Sequence, residues 1–163
     1  MEDLWPLASD VLIAERLRLN TQSLLAVRIS ETVLANMWWT FAFNKPSVKK
    51  SKALVMWFNS SPGMLVTLAC RLETQGAWIA FKKPVLAGLP VLDIDGLDKK
   101  TLKALADGFD DLLKADLLPF PQMATDPIRK QIDQVVAKAL GLPNLSPIRT
   151  VLSREPFVCL KRL

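Results

Sequence analysis

The run Arg16-Leu-Arg-Leu-Asn-Thr-Gln22 sets guanidinium and carboxamide groups on alternate positions. A period of two puts Arg16, Arg18 and Asn20 on one face of a strand and Leu17 and Leu19 on the other. Arg16, Arg18, Asn20 and Gln22 have the chemistry of base recognition: arginine matches the two acceptors of guanine, and a carboxamide matches the donor–acceptor pair of adenine. A solvated sheet face is the alternative reading of the same spacing. Lys82 and Lys83 follow a strand-like run, Ala77 to Phe81, and precede Pro84, which suits a turn that grips phosphates; an exposed lysine pair is the alternative. Lys49 and Lys50, with Lys52, stand near a helix start, where cations oppose the helix dipole unless phosphates lie close by. Asn59 and Ser60 complete the candidate DNA-binding set, although their position between two apolar runs equally suits a helix cap.

The elements that must position these groups follow from pattern. Val11-Leu12-Ile13, Leu24 to Ile29 and Met37 to Phe43 read as strands, and the expected first layer is an antiparallel sheet with one polar face. Trp38 and Trp39 point to opposite faces of such a strand, so one of them is expected to meet a base or a partner protein. Ser47 begins a helix near residues 48 to 58. The break Asn59-Ser-Ser-Pro-Gly63 starts a second helix, from about 62 to 72, with Pro62 in its first turn. Gly76 turns the chain into the strand Ala77 to Phe81, Val85 to Gly88 forms one helical turn, and Val91 to Ile94 is a short strand or extended segment. Asp98 opens an amphipathic helix carrying Leu102, Leu105, Phe109, Leu112 and Leu113. Asp126-Pro127 opens another, which Gly141 and Pro143 close, and a shorter one begins at Asn144 to Pro147 and ends before Glu155-Pro156. The stretch from Leu4 to Ala8 is a loose lead-in. The expected class is α+β: a small antiparallel or mixed sheet packed with helices, followed by a helical C-terminal part. Residues 1–95 form the core and residues 96–163 a helical extension packed on it, the whole being compatible with one domain.

The 163 residues carry a net charge of +5 and no histidine. Ten basic and six acidic side chains precede residue 90, against eleven and ten after it, so the excess positive charge lies in the first half. That distribution suits a polyanion. Cys70 and Cys159 lack a short metal-ligand spacing and are expected to be buried free cysteines, so no metal site is expected. The longest apolar run, Ala53 to Phe58, is far below the roughly 18 residues that cross a bilayer, and no signal peptide opens the sequence. A cytoplasmic, membrane-free protein is the expectation. There is no nucleotide-binding glycine loop, no His-based triad and no carboxylate pair in a recognisable cleft motif. Asp107, Asp110 and Asp111 read as a solvated helix face.

The run Lys52-Ala-Leu-Val-Met-Trp-Phe-Asn-Ser-Ser-Pro-Gly-Met-Leu-Val-Thr-Leu68 is followed by Arg71-Leu-Glu-Thr-Gln-Gly-Ala-Trp-Ile-Ala-Phe-Lys-Lys-Pro-Val-Leu86 and Leu89-Pro-Val-Leu-Asp93. These segments resemble the C-terminal target-recognition region of adenine-specific DNA methyltransferases of restriction-modification systems. The resemblance extends from Leu12-Ile-Ala-Glu-Arg16 to Arg154-Glu-Pro-Phe157. It implies a specificity domain that reads double-stranded DNA beside a methyltransferase catalytic domain on the same or a companion chain. There the catalytic half flips an adenine and methylates it with S-adenosylmethionine. The chain lacks that family's base-gripping (Asn/Asp)-Pro-Pro-(Tyr/Phe) motif and its cofactor loop. It is therefore expected not to be the enzyme itself and to hold no cofactor. The rival expectation is a non-catalytic interaction module that docks a larger partner through an apolar, Trp-rich face.

Overall fold

A computed structural model of the chain describes residues 8–18, 20–73 and 78–155. The expected lead-in from Leu4, the inward placement of Leu19, the turn at Gly76 and the second cysteine, Cys159, lie outside them. The class is α+β. β1 (Ser9–Ala14) is flanked by β3 (Ala26–Val33) and β4 (Trp38–Phe41), antiparallel to both. After the single residue Glu15 the chain bends and enters a second antiparallel sheet, in which β6 (Trp78–Ala80) lies between β2 (Arg16–Arg18) and β5 (Leu72–Glu73). Glu15 belongs to both ladders. Its N–H donates to Met37 at 3.1 Å, and its carbonyl accepts from Phe81 at 2.8 Å. The Trp39 indole closes the joint by donating to the Phe81 carbonyl at 2.9 Å.

Side-chain caps open α2, α4 and α5, whereas Ser47 precedes α1 without a side-chain cap bond. α1 (Val48–Asn59) runs directly into α2 (Ser61–Ala69), and α3 (Lys83–Ala87) is a single turn. α4 (Lys99–Leu112) starts at Asp98, whose carboxylate accepts from the N–H groups of Lys100 and Thr101; these bonds, Thr101's above all, hold its pKa below the usual value. α5 (Pro127–Leu140) starts at Asp126, which accepts from Ile128 and Arg129, and it ends at Gly141 with φ of 66°, a left-handed cap that glycine adopts without steric cost. α6 (Ser146–Arg154) completes the described chain. Val91 to Ile94 is not a strand: it has no ladder partner, Leu92 and Ile94 pack into the core as irregular chain, and Asp93 turns the backbone by accepting from Gly96 at 3.1 Å.

Two apolar cores lie side by side. The first gathers Val11, Ile13, Leu54, Phe58, Leu105 and Ile132, so helices from both sides of residue 95 share it with the first sheet. The second gathers Leu17, Ile79, Phe81, Met64, Phe120 and Leu152 beneath the second sheet. A buried polar seam runs between helices and sheet. Asn59, 3% exposed, accepts from Leu25 N–H at 2.9 Å and donates to the carbonyls of Ala26 and Val55 at 2.7 and 3.0 Å. Ser61 donates through its N–H and its hydroxyl to Asp133, each at 2.7 Å, and Arg149 donates to the same carboxylate at 2.6 Å. Arg129, wholly buried, donates to the carbonyls of Asn59 and Ser23 at 3.0 and 2.5 Å. Burial pushes its guanidinium down to about 10 while Asp126 and Asp133 pull the other way, so it stays charged at neutral pH.

The α1–α2 corner is tight enough to need glycine at position 63, where a Cβ would lie 2.0 Å from the Trp57 carbonyl oxygen and 2.9 Å from the Phe58 Cα. Both features are testable by urea denaturation. Asn59→Ala leaves several buried backbone groups unpaired, each costing about 1–3 kcal/mol, so a loss of about 3 kcal/mol or more is expected. Gly63→Ala is expected to lower the midpoint strongly as well. A loss below about 1 kcal/mol for Asn59→Ala, a typical single hydrogen bond, would show that water replaces the amide and that the seam is not a structural requirement.

Candidate nucleic-acid interface

The alternation expected around Arg16 is present, and its structural cause is the second core. Leu17 and Ile79 are directly opposed across β2 and β6 and are almost fully buried, at 1% and 0% exposure. Residues on either side must therefore point outward. Arg16 pairs with Ala80 and Arg18 with Trp78, and directly opposed residues share a face. Leu72 of β5 also faces Ala80 across the sheet. The outer surface of the second sheet thus displays two exposed guanidiniums beside Trp78, a tryptophan that is 40% exposed. The pattern continues past the strand end: Phe81 is buried and holds the ladder through Glu15, and Lys82, in extended backbone, is exposed again. Arg16, Arg18 and Lys82 therefore share an outward face with Trp78. The arrangement combines charges for phosphates with a ring for stacking.

The other expected contacts distribute differently. Asn20 is not on the strand: it sits in the turn after β2, and its Oδ1 is buried without a hydrogen-bond partner. The turn is closed by Gln22, whose Oε1 accepts from Arg18 N–H at 2.6 Å and whose backbone N–H donates to the Arg18 carbonyl at 3.1 Å. Gln22 therefore shapes the loop that ends β2, with its carboxamide oxygen already engaged. Lys83 is exposed in the first turn of α3, next to Lys82 but off the strand.

Lys49 is exposed on α1, but Lys50 meets Asp95 at 2.5 Å and Lys52 meets Asp110 at 2.6 Å. The chain itself supplies the negative charge that a helix start rich in lysine calls for, so no phosphate is needed to explain Lys50. Asn59 and Ser60 leave the surface set altogether, being 3% and 0% exposed. Their polar atoms serve the seam and the α2 cap, where Ser60 Oγ accepts from Gly63 N–H at 3.4 Å. Trp38 packs on the second core and Trp39 bonds to Phe81, so both tryptophans of β4 hold the two sheets together.

Trp78 is not among the residues that the sequence pattern of Arg16 to Gln22 marks, yet it stands on the outward phase of a run whose inward phase is Ile79 and Phe81, so the same period of two in Trp78 to Phe81 is its signal. Among the described residues no cluster of three or more His, Cys, Asp or Glu side chains is placed to hold a metal ion, and no helix is long and apolar enough to cross a membrane. No protein-family model matches the chain, and neither a curated protein nor a solved structure shows similarity to it.

Proposed function

We propose that this protein is a non-catalytic DNA-binding domain, the target-recognition part of a restriction-modification adenine methyltransferase, and that it meets double-stranded DNA through the outer face of β2 and β6. The observation that carries this reading is the juxtaposition of Arg16, Arg18, Trp78 and Lys82 on one face whose underside is anchored in a core. Arginine on a strand can enter the major groove and bond the two acceptors of guanine, while lysine at the rim positions the backbone. The methyl donor and the catalytic motifs belong, in this reading, to a catalytic domain on the same or a companion chain, as the resemblance of residues 52–93 implies. A cytoplasmic location goes with this role.

The rival, a protein-docking module, has a surface of its own. It is a recess of about 340 Å³ between β3, α1, α4 and α5, lined by Met56, Phe109, Leu113 and Ile132 among others. It lies apart from Trp38 and Trp39, which are engaged within the chain.

Anisotropy of a labelled duplex at about 50 and 200 mM salt separates the two readings, since phosphate contacts lose affinity steeply over that range. The DNA-binding reading expects binding that weakens with salt. Lys82→Ala should weaken all sequences alike and reduce the salt slope by about one, and Leu113→Asp in the recess should change nothing. Salt-independent binding, or none at the lower salt, would overturn it.

In cells carrying the domain with its catalytic module, Arg18→Ala should relax the methylated motif at one base pair, at a cost of about 1–3 kcal/mol. Methylome sequencing reads this directly, and an unchanged motif would remove Arg18 from the reading set. Purified chain alone should incorporate no tritiated methyl group into mixed-sequence DNA.

A further inference from the structure

β3 lies at the edge of the first sheet, and its ladder with β1 fixes which of its backbone groups are spent. In an antiparallel pair, opposed residues alternate between those that exchange hydrogen bonds and those whose N–H and C=O groups point away from each other. Ala14 N–H donates to the Leu25 carbonyl at 2.9 Å, a bond that flanks the Ile13–Ala26 pair. Ile13 and Ala26 therefore exchange no bonds, and Ala26 turns its own groups outward. The Val11–Arg28 pair, two residues along, has the same phase. The outward groups of Ala26 are taken by Asn59, whose carboxamide accepts from the N–H at 3.4 Å and donates to the carbonyl at 2.7 Å. That side chain stands where the peptide group of a neighbouring strand would stand. Among the described residues nothing bonds the corresponding groups of Arg28.

Beside this edge lies the recess of about 340 Å³. α1 packs against β1 and β3, whereas α4 and α5 pack on α1 and on each other. Val27 and Arg28 line one side of the space, and Phe109, Leu113 and Ile132 line the other. A strand added to β3 would run about 4.8 Å from it, and so along this space. Two charged side chains also line it. Arg28 is matched by Asp10 at 2.8 Å, but Asp116 is exposed and in no ion pair among the described residues. Open backbone groups, an apolar wall and a lone carboxylate match one occupant: an extended peptide with an apolar side chain and a lysine or arginine close to it.

We infer that the edge of β3 and the adjoining recess bind such a peptide by strand addition, with Arg28 supplying the backbone contact and Asp116 the charge. The inference goes beyond the DNA-binding reading and does not depend on it, because the two surfaces share no residue.

The experiment titrates the full chain with a fluorescein-labelled probe peptide, Lys-Thr-Val-Leu-Val-Thr-Lys, and reads anisotropy and amide hydrogen exchange. Half-saturation is expected below about 1 mM, with slower exchange of the Arg28 amide proton in the complex. Methylating the peptide's backbone nitrogens one at a time should weaken binding about 5- to 150-fold at alternate positions and little in between, because only every second N–H points at β3. Leu113→Asp should weaken binding at least about tenfold. Asp116→Lys should weaken the lysine-ended peptide and strengthen a glutamate-ended one, each by up to about fivefold. Both side chains are exposed, and thermal melting checks that the variants keep the fold. No saturable binding by about 1 mM, equal loss at every methylated nitrogen, or binding unchanged by Leu113→Asp overturns the inference. An Arg28 amide already protected without peptide, in a chain that dimerises with concentration, overturns it in favour of a second copy at the edge. Each of these results leaves the duplex titration, and the reading it tests, untouched.

Discussion

Everything in this fold hangs on how the chain turns from α1 into α2 without a loop. Two helices that meet at a single residue, Ser60, expose the last carbonyls of one and the first N–H groups of the other inside the protein, where water does not reach them. The side chains of Asn59, Ser60 and Ser61 answer that demand, and each does so with a partner from a different part of the sequence. Asn59 reaches back to residues 25 and 26 at the start of β3, Ser60 caps locally, and Ser61 reaches forward to Asp133 on α5. Arg129 bonds both the Asn59 carbonyl and that of Ser23, and Arg149 closes the chain of contacts on Asp133. A buried ion pair of this sort contributes little net energy compared with an apolar substitute of the same shape, but losing one partner is severe. Its role here is to allow a single relative placement of sheet, α1, α2, α5 and α6.

That placement supports a surface as small as three short strands. β2 and β6 have only three residues each, too few for a stable sheet in isolation. They persist because Leu17, Ile79 and Phe81 insert into the second core, and because β2 is a direct continuation of β1 across Glu15. Recognition of a nucleic acid requires side chains that lose little freedom on binding. Arg16, Arg18 and Trp78 owe their fixed backbone to contacts made on the opposite side of the sheet.

The parts of the structure that were legible in sequence are those whose causes are local. Asp98 and Asp126 announce α4 and α5 because a cap and an apolar period are short-range facts, and Gly141 marks the end of α5 for the same reason. The exposed–buried–exposed order of Arg16, Leu17 and Arg18 was legible too, since a period of two survives in a strand of three residues. What was not legible depended on distant partners. Nothing near Lys50 or Lys52 in sequence reveals Asp95 or Asp110, so their charge looked available when it was already matched. Asn20 continued the alternation on paper, but the side chain of Gln22 folds the chain back just before it could join the strand. Val91 to Ile94 has the composition of a strand but pairs with no strand among the described residues, and packs as irregular chain.

The alternation on β2 and β6 separates two kinds of information on the same few residues. Inward positions belong to the fold and are constrained by the packing of α2 and α6 beneath them; the outward positions Arg16, Arg18 and Lys82 are exposed. Substitutions at Arg16, Arg18 and Lys82 therefore leave the core contacts of Leu17, Ile79 and Phe81 in place. The second sheet is in that sense a faceplate seated on its own core, and the bend at Glu15 is the line along which it joins the first sheet.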